Sequence, residues 1–130
     1  MQSFDELIEV VRQIRAECPW DSVQTHESLK QYIVEETEEV LEGIDRLTEM
    51  QDGENLCEEL GDVLFQIILH GLIAEEEGIF TLDDVIRGIL DKMRFRHPRI
   101  FSEDNEELTK LSWEELKQQE KLQKRQNVRK

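Results

Sequence analysis

The sequence predicts an all-α fold, a helical bundle of four to five helices assembled as a dimer with a four-helix core shared between subunits. Three observations lead to the all-α class. Two prolines and six glycines in 130 residues leave long stretches unbroken. A composition of 38% hydrophobic and 36% charged residues suits amphipathic helices better than a sheet sandwich. Apolar residues also recur three and four apart in segment after segment, the period of one helical face.

Taken in chain order, Ser3 and Glu6 have the spacing of a capping box ahead of Phe4, Leu7, Ile8, Val11 and Ile14, the apolar face of a first helix. Cys18-Pro19-Trp20-Asp21 breaks it. A second helix is predicted from about residue 27 to 50, with Leu29, Ile33, Val40, Ile44 and Leu47 inward, and Gln51-Asp52-Gly53 as the turn that follows. A third, about 54–77, is apolar on every side between Val63 and Ala74 apart from Gln66, His70 and Gly71. Such a helix has to be surrounded, and in so short a chain a second subunit is the expected source of cover, so at least a homodimer is predicted.

Gly78 ends the third helix. Thr81 and Asp84 open a fourth with the stripe Leu82, Val85, Ile86, Ile89, Leu90 and Met93, closed by Pro98. After an acidic, loop-like stretch, Ser112 and Glu115 offer a second capping box for a last helix carrying Trp113 and Leu116. One domain over 1–122 and a basic, frayed tail over 123–130 complete the expectation.

The formal charge of -15 opposes binding to nucleic acid or anionic membrane. The most apolar stretch is too short to span a bilayer, and no export signal is evident. Two cysteines, Cys18 and Cys57, make no disulfide framework, and a cytoplasmic location is the simplest fit.

Between Glu35 and Asp62 stand twelve acids and one basic residue, Arg46, so pairing along the helix cannot neutralise the region. At 100° per residue Glu38 and Glu42 turn away from the apolar stripe, where solvation explains them. Glu36 lies three residues after Ile33 and four before Val40, inside the stripe, with Glu39 one turn on. On the third helix Glu59 flanks Leu56 and Val63, and Asp62 shares a row with Phe65, Leu69 and Ile73. Unpaired ionised carboxylates there would be costly, so metal coordination or raised pKa values are the natural outcomes. A short turn at Gly53 makes the two helices antiparallel neighbours and brings both acid pairs together. Oxygen ligands without His or Cys favour Mg²⁺, with Mn²⁺ as a substitute. A di-iron bundle would need Glu-x-x-His pairs, and no His stands three after an acid. His70 is read as a hydrogen-bonded core histidine rather than a ligand. Glu35, at the margin of the stripe, is open between outer ligand, water-orienting base and surface residue.

Lys92 and Arg96, one turn apart at the end of the fourth helix, form a cationic pair that suits either phosphate or the helix C-terminus itself. Trp113 and Lys117, similarly spaced, suit base stacking with phosphate contact, or packing. Trp20 is either pocket wall or structural packing.

Glu35-Glu36-Thr37-Glu38-Glu39 followed by Glu59-Leu60-Gly61-Asp62 resembles the EExxE and ExxD pair of MazG-type pyrophosphohydrolases. The resemblance extends through Cys18-Pro19-Trp20-Asp21, Gln24-Thr25-His26 and Arg96-His97-Pro98 and covers roughly residues 4 to 101. It implies an α-helical dimer or dimer of dimers that hydrolyses nucleoside triphosphates to monophosphate and pyrophosphate, with a house-cleaning role. Carried over, it assigns Glu36, Glu39, Glu59 and Asp62 as metal ligands and gives Glu35 a supporting, catalytic role. It also implies that Lys92 and Arg96 meet phosphate, and that Trp113 and Lys117 belong to a nucleotide-binding pattern. Arg99 stands where the family often has a second His, which leaves substrate choice open. The alternative is a nucleotide-binding or regulatory module that keeps the site without turnover.

Overall fold

The computed structural model describes residues 1–102 and 104–128, with side chains through residue 125. Among the described residues there are seven α-helices, one 3-10 turn and no strand, which is the predicted fold class. Five of the helices are long, and two single-turn helices occupy the stretch that the sequence predicts as loop. The chain divides into two compact units, Met1–Leu82 and a second from Asp83 onward. No helix among the described residues is long and apolar enough to cross a membrane.

The first unit contains α1 (Gln2–Glu17), the 3-10 turn (Asp21–Val23), α2 (His26–Met50) and α3 (Glu54–Glu76). Helix α1 starts earlier than its predicted cap. Met1 is the N-cap residue, and its carbonyl accepts from the amides of Phe4 and Asp5 at 3.2 Å each. Ser3 is therefore already within the first turn, and the expected Ser3–Glu6 box does not form. A different box starts α2: the Ser28 amide donates to Thr25 Oγ1 at 3.0 Å, and the Thr25 amide donates to Ser28 Oγ at 2.8 Å.

Arg15 ties the intervening loop down. Its Nη1 donates to the carbonyls of Asp21 at 2.6 Å and Gln24 at 2.8 Å, while Nε and Nη2 grip the Glu76 carboxylate at 2.9 Å each. The guanidinium raises no unmet charge because Glu76 answers it, and Glu76 is in turn held below the ordinary carboxyl range by that hydrogen bond.

Helix α2 ends where Gln51 takes a left-handed conformation, φ 57°. Asp52 Oδ1 then accepts the Glu54 amide at 3.2 Å, so α3 sets off antiparallel to α2 as predicted. The core is Val11, Leu29, Ile68, Leu69, Leu72, Ile73 and Leu82, with Phe4, Leu7 and Ile8 packed against it. The predicted inner stripe of α2 is only half realised: Leu29 is buried, but Ile44 and Leu47 are 43% and 41% exposed. The last turns of α2 lie at the turn end of the hairpin, where α3 is the helix packed against them. Within the single chain α3 is not covered on every side, since Ile67 is 42% exposed.

Gly43 sets how closely the pair approaches. A Cβ there would lie 2.9 Å from Leu56 Cα, which is backbone and cannot swing aside. Gly43→Ala gains helix propensity, about 1 kcal/mol, but must push the helices apart, at roughly 1–3 kcal/mol. Net destabilisation is expected, read as a lower urea midpoint. A higher midpoint would show that α2 and α3 do not approach so tightly.

The second unit carries the rest of α4 (Leu82–Arg96), then α5 (Pro98–Phe101), α6 (Glu106–Thr109) and α7 (Trp113–Val128). The Ser112–Glu115 box forms as expected, with the Glu115 amide donating to Ser112 Oγ at 3.2 Å. Helix α7 continues to Val128, past the frayed tail anticipated from 123; residues 129 and 130 lie outside the described residues. The apolar stripe predicted to bury α4 is largely uncovered: Val85, Ile86, Ile89 and Leu90 are all exposed, and only Leu82 is buried. Periodicity marks a face as apolar without supplying the neighbour that covers it.

Candidate metal centre and basic cluster

In α2, Glu36 and Glu39 are one turn apart; in α3, Glu59 and Asp62 are likewise. The antiparallel hairpin sets the two pairs against each other, so that one oxygen from each of the four lies within 4.8 Å of all the others. Glu36 and Glu59 are half-buried, while Glu39 and Asp62 are exposed. Oε2 of Glu36 and Oε2 of Glu59 are shut off from solvent with no hydrogen-bond partner.

Such a cluster resists being fully ionised. The Glu59 carboxyl is pushed up to about 7, first by its hydrogen bond with Glu39, then by burial and by the charges of Glu39, Asp62 and Glu36. Glu36 is also raised, first by burial and then by the charges of Glu39 and Asp62. Two carboxylates share a hydrogen bond only when one keeps its proton. The donor set fits a hard divalent cation: four carboxylates, no nitrogen or sulfur, and two orphaned oxygens.

Glu35 stands outside these four. It is exposed and accepts from Gln31 Nε2 at 3.3 Å, and its charge is among those that raise Glu36. Trp20 is 51% exposed and meets Tyr32 edge-on, with ring centroids 5.6 Å apart. His70 is hydrogen-bonded, as expected, but through a partner the sequence did not reveal. Its Nδ1 lies 2.8 Å from Nδ1 of His26, so one ring donates and the other accepts. Burial and the neighbouring His26 hold His70 below the usual histidine range.

In the second unit Lys92 and Arg96 lie on one face of α4, as their spacing requires. Arg96 lies over the Trp113 ring, 5.1 Å from its centroid, and His97 meets the same ring edge-on at 5.5 Å. His97 Nδ1 donates to the Met93 carbonyl at 2.6 Å. Arg96, His97, Trp113 and Leu116 border a cleft of about 310 Å³. Lys117 points elsewhere, to Glu114 at 3.8 Å. The partner that sequence reasoning missed is Glu120 of α7, which faces Arg96 and Lys92 together. A Glu seven residues beyond Trp113 carries no local signal of that contact, which is made across 24 residues.

Residues 24–101, more than half of the chain, match the model of the MazG nucleotide pyrophosphohydrolase domain. The chain is 43% identical, over 94% of its length, to the Thermotoga maritima nucleoside triphosphate pyrophosphohydrolase/pyrophosphatase MazG, and covers 47% of that protein. It is 37% identical, over 98% of its length, to the nucleoside triphosphate pyrophosphohydrolase of Escherichia coli K12, and covers 49% of it. Against the Bacillus subtilis protein YabN, named as uncharacterized, the identity is 46% over 91% of this chain and 24% of the other. The chain thus spans half or less of the length of these relatives. The crystal structure of a mazG-related protein from Thermotoga maritima superposes with a TM-score of 0.68 at 29% identity, covering 88% of this chain and 98% of that one. The acidic hairpin lies within the matched residues, and the chain belongs to the MazG nucleotide pyrophosphohydrolase family.

Proposed function

We propose that this chain hydrolyses nucleoside triphosphates to nucleoside monophosphate and pyrophosphate, with Mg²⁺, or Mn²⁺ in its place, held by Glu36, Glu39, Glu59 and Asp62. The observation that carries the reading is the convergence of those four carboxylates, two with an orphaned buried oxygen, in a family whose relatives are named for this activity.

When bound, a divalent cation there would neutralise phosphate charge and supply an activated water. The protein's own contribution is positional. The i, i+3 spacing on two packed helices fixes the direction of each carboxylate before any ligand arrives, so little reorganisation is left to the reaction. Glu35, exposed and outside the four, is the proposed base that takes a proton from the attacking water. Lys92, Arg96 and Lys117 are the proposed phosphate contacts, and Trp113 and Trp20, both substantially exposed, the proposed base contacts.

A homodimer or dimer of dimers belongs to the same proposal, supported by the uncovered apolar residues Ile44, Leu47 and Ile67 of the hairpin and Val85, Ile86, Ile89 and Leu90 of α4. The proposed location is the cytoplasm, where the free thiols of Cys18 and Cys57 stay reduced. The formal charge of -15 argues against nucleic acid or an anionic membrane surface as a partner.

The test is pyrophosphate release from canonical and modified NTPs and dNTPs, with Mg²⁺, with Mn²⁺ and with EDTA. Metal-dependent formation of monophosphate plus pyrophosphate is expected, and the panel ranks base and sugar. Absence of release across the whole panel would overturn the reading in favour of a silent nucleotide-binding module.

A further inference from the structure

Glu120 sits at the centre of the second unit's positive charge. Its carboxylate accepts from Arg96 Nε at 3.0 Å and lies 3.4 Å from Lys124 Nζ and 4.0 Å from Lys92 Nζ. The Glu120 and Arg96 side chains retain only 12% and 15% of their exposure. Burial works to raise the Glu120 carboxyl, but the hydrogen bonds and charges of Arg96 and Lys124 hold it below the ordinary range.

A carboxylate that merely tethered α7 to α4 would need one cation. Three surround it here, leaving two positive charges in excess within a chain of formal charge -15. Excess cation around a shielded anion suits a ligand carrying more negative charge than one carboxylate, delivered as several oxygens. Arg96 is further steadied by the Trp113 ring beneath it, so its fork stays aimed if Glu120 leaves.

We propose that Glu120 is a resident competitor for an oligophosphate chain, holding Lys92, Arg96 and Lys124 together until the anion displaces it, and that Lys124 is then a third phosphate contact. The physiological ligand, a nucleoside triphosphate, rests on the function proposed above; the competition itself does not. Its consequence is selectivity: an anion with a single charge gains too little to evict the carboxylate, whereas a tri- or diphosphate engages all three cations at once.

The experiment is calorimetric titration of the full chain with inorganic tripolyphosphate in EDTA, for wild type, Glu120→Gln and Arg96→Gln, with helicity checked by circular dichroism. Glu120→Gln is expected to bind roughly tenfold more tightly than wild type, the scale of one charge-assisted hydrogen bond no longer competing, and Arg96→Gln more weakly. If Glu120→Gln does not fold, Glu120→Asp makes the same comparison, since its shorter arm withdraws the carboxylate from Arg96. Equal or weaker binding in the Glu120 variant would mean that Glu120 only positions Arg96, and would overturn the proposal. No binding by wild type or either variant, alongside intact NTP turnover, would overturn it while leaving the pyrophosphohydrolase reading standing. The tenfold gain without any NTP turnover would support it and remove that reading.

Discussion

Glu39→Gln and Asp62→Asn should each lower nucleoside triphosphate turnover by roughly a hundred- to a thousandfold or more, the scale of losing one preorganised electrostatic group, while leaving the protein folded. Both residues are exposed members of the acidic quartet, so neither substitution opens a cavity. Each removes a negative charge that, after burial for Glu36 and the Glu39 hydrogen bond for Glu59, helps to raise those two carboxyls. The metal-free variants should therefore be no less stable than wild type, and the urea midpoint should hold or rise. Loss of activity with retained stability would separate a functional carboxylate from a structural one. Wild-type turnover in either variant would sink the assignment of these residues as metal ligands.

Metal affinity should fall about 25-fold between about pH 7.5 and about pH 5.5, because the cation must displace the proton that Glu59 keeps up to about 7. The same proton sets the sign of the stability effect. A carboxyl whose folded pKa exceeds its unfolded value binds more protons in the folded state. Its contribution is fully present below the ordinary glutamate range and is lost as pH rises through about 7. Without metal, the quartet thus makes the fold less stable as pH rises across that window. With metal, the loss is reversed, and the rise in melting temperature on adding Mg²⁺ or Mn²⁺ should be largest above pH 7. Calorimetric titration with Mn²⁺ at the two pH values, together with thermal melts with and without EDTA, checks both. Affinity independent of pH would show that the ion binds away from Glu59.

The acidic site was legible in the sequence because its determinants are local. Two i, i+3 acid pairs and one turn suffice to bring Glu36, Glu39, Glu59 and Asp62 together, because a short turn makes the two helices antiparallel neighbours. The Ser112–Glu115 cap was legible for the same reason. The Ser3–Glu6 cap was not, because the motif specifies a pair of residues and the helix was free to begin one residue before it, at Gln2. The His26–His70 contact, made across 44 residues, has no local signature at all.

What the sequence by itself determined is therefore the five long helices, the antiparallel α2–α3 hairpin and the four acids on its facing sides, all consequences of spacing within a few turns. Only the tertiary structure decided which apolar faces are covered within one chain and which side chains answer each charge. It left the apolar stripe of α4 and the last turns of α2 exposed, and set Glu120 against Lys92, Arg96 and Lys124. Helical periodicity states which way a side chain points, whereas burial and ion pairing depend on what another segment brings to meet it.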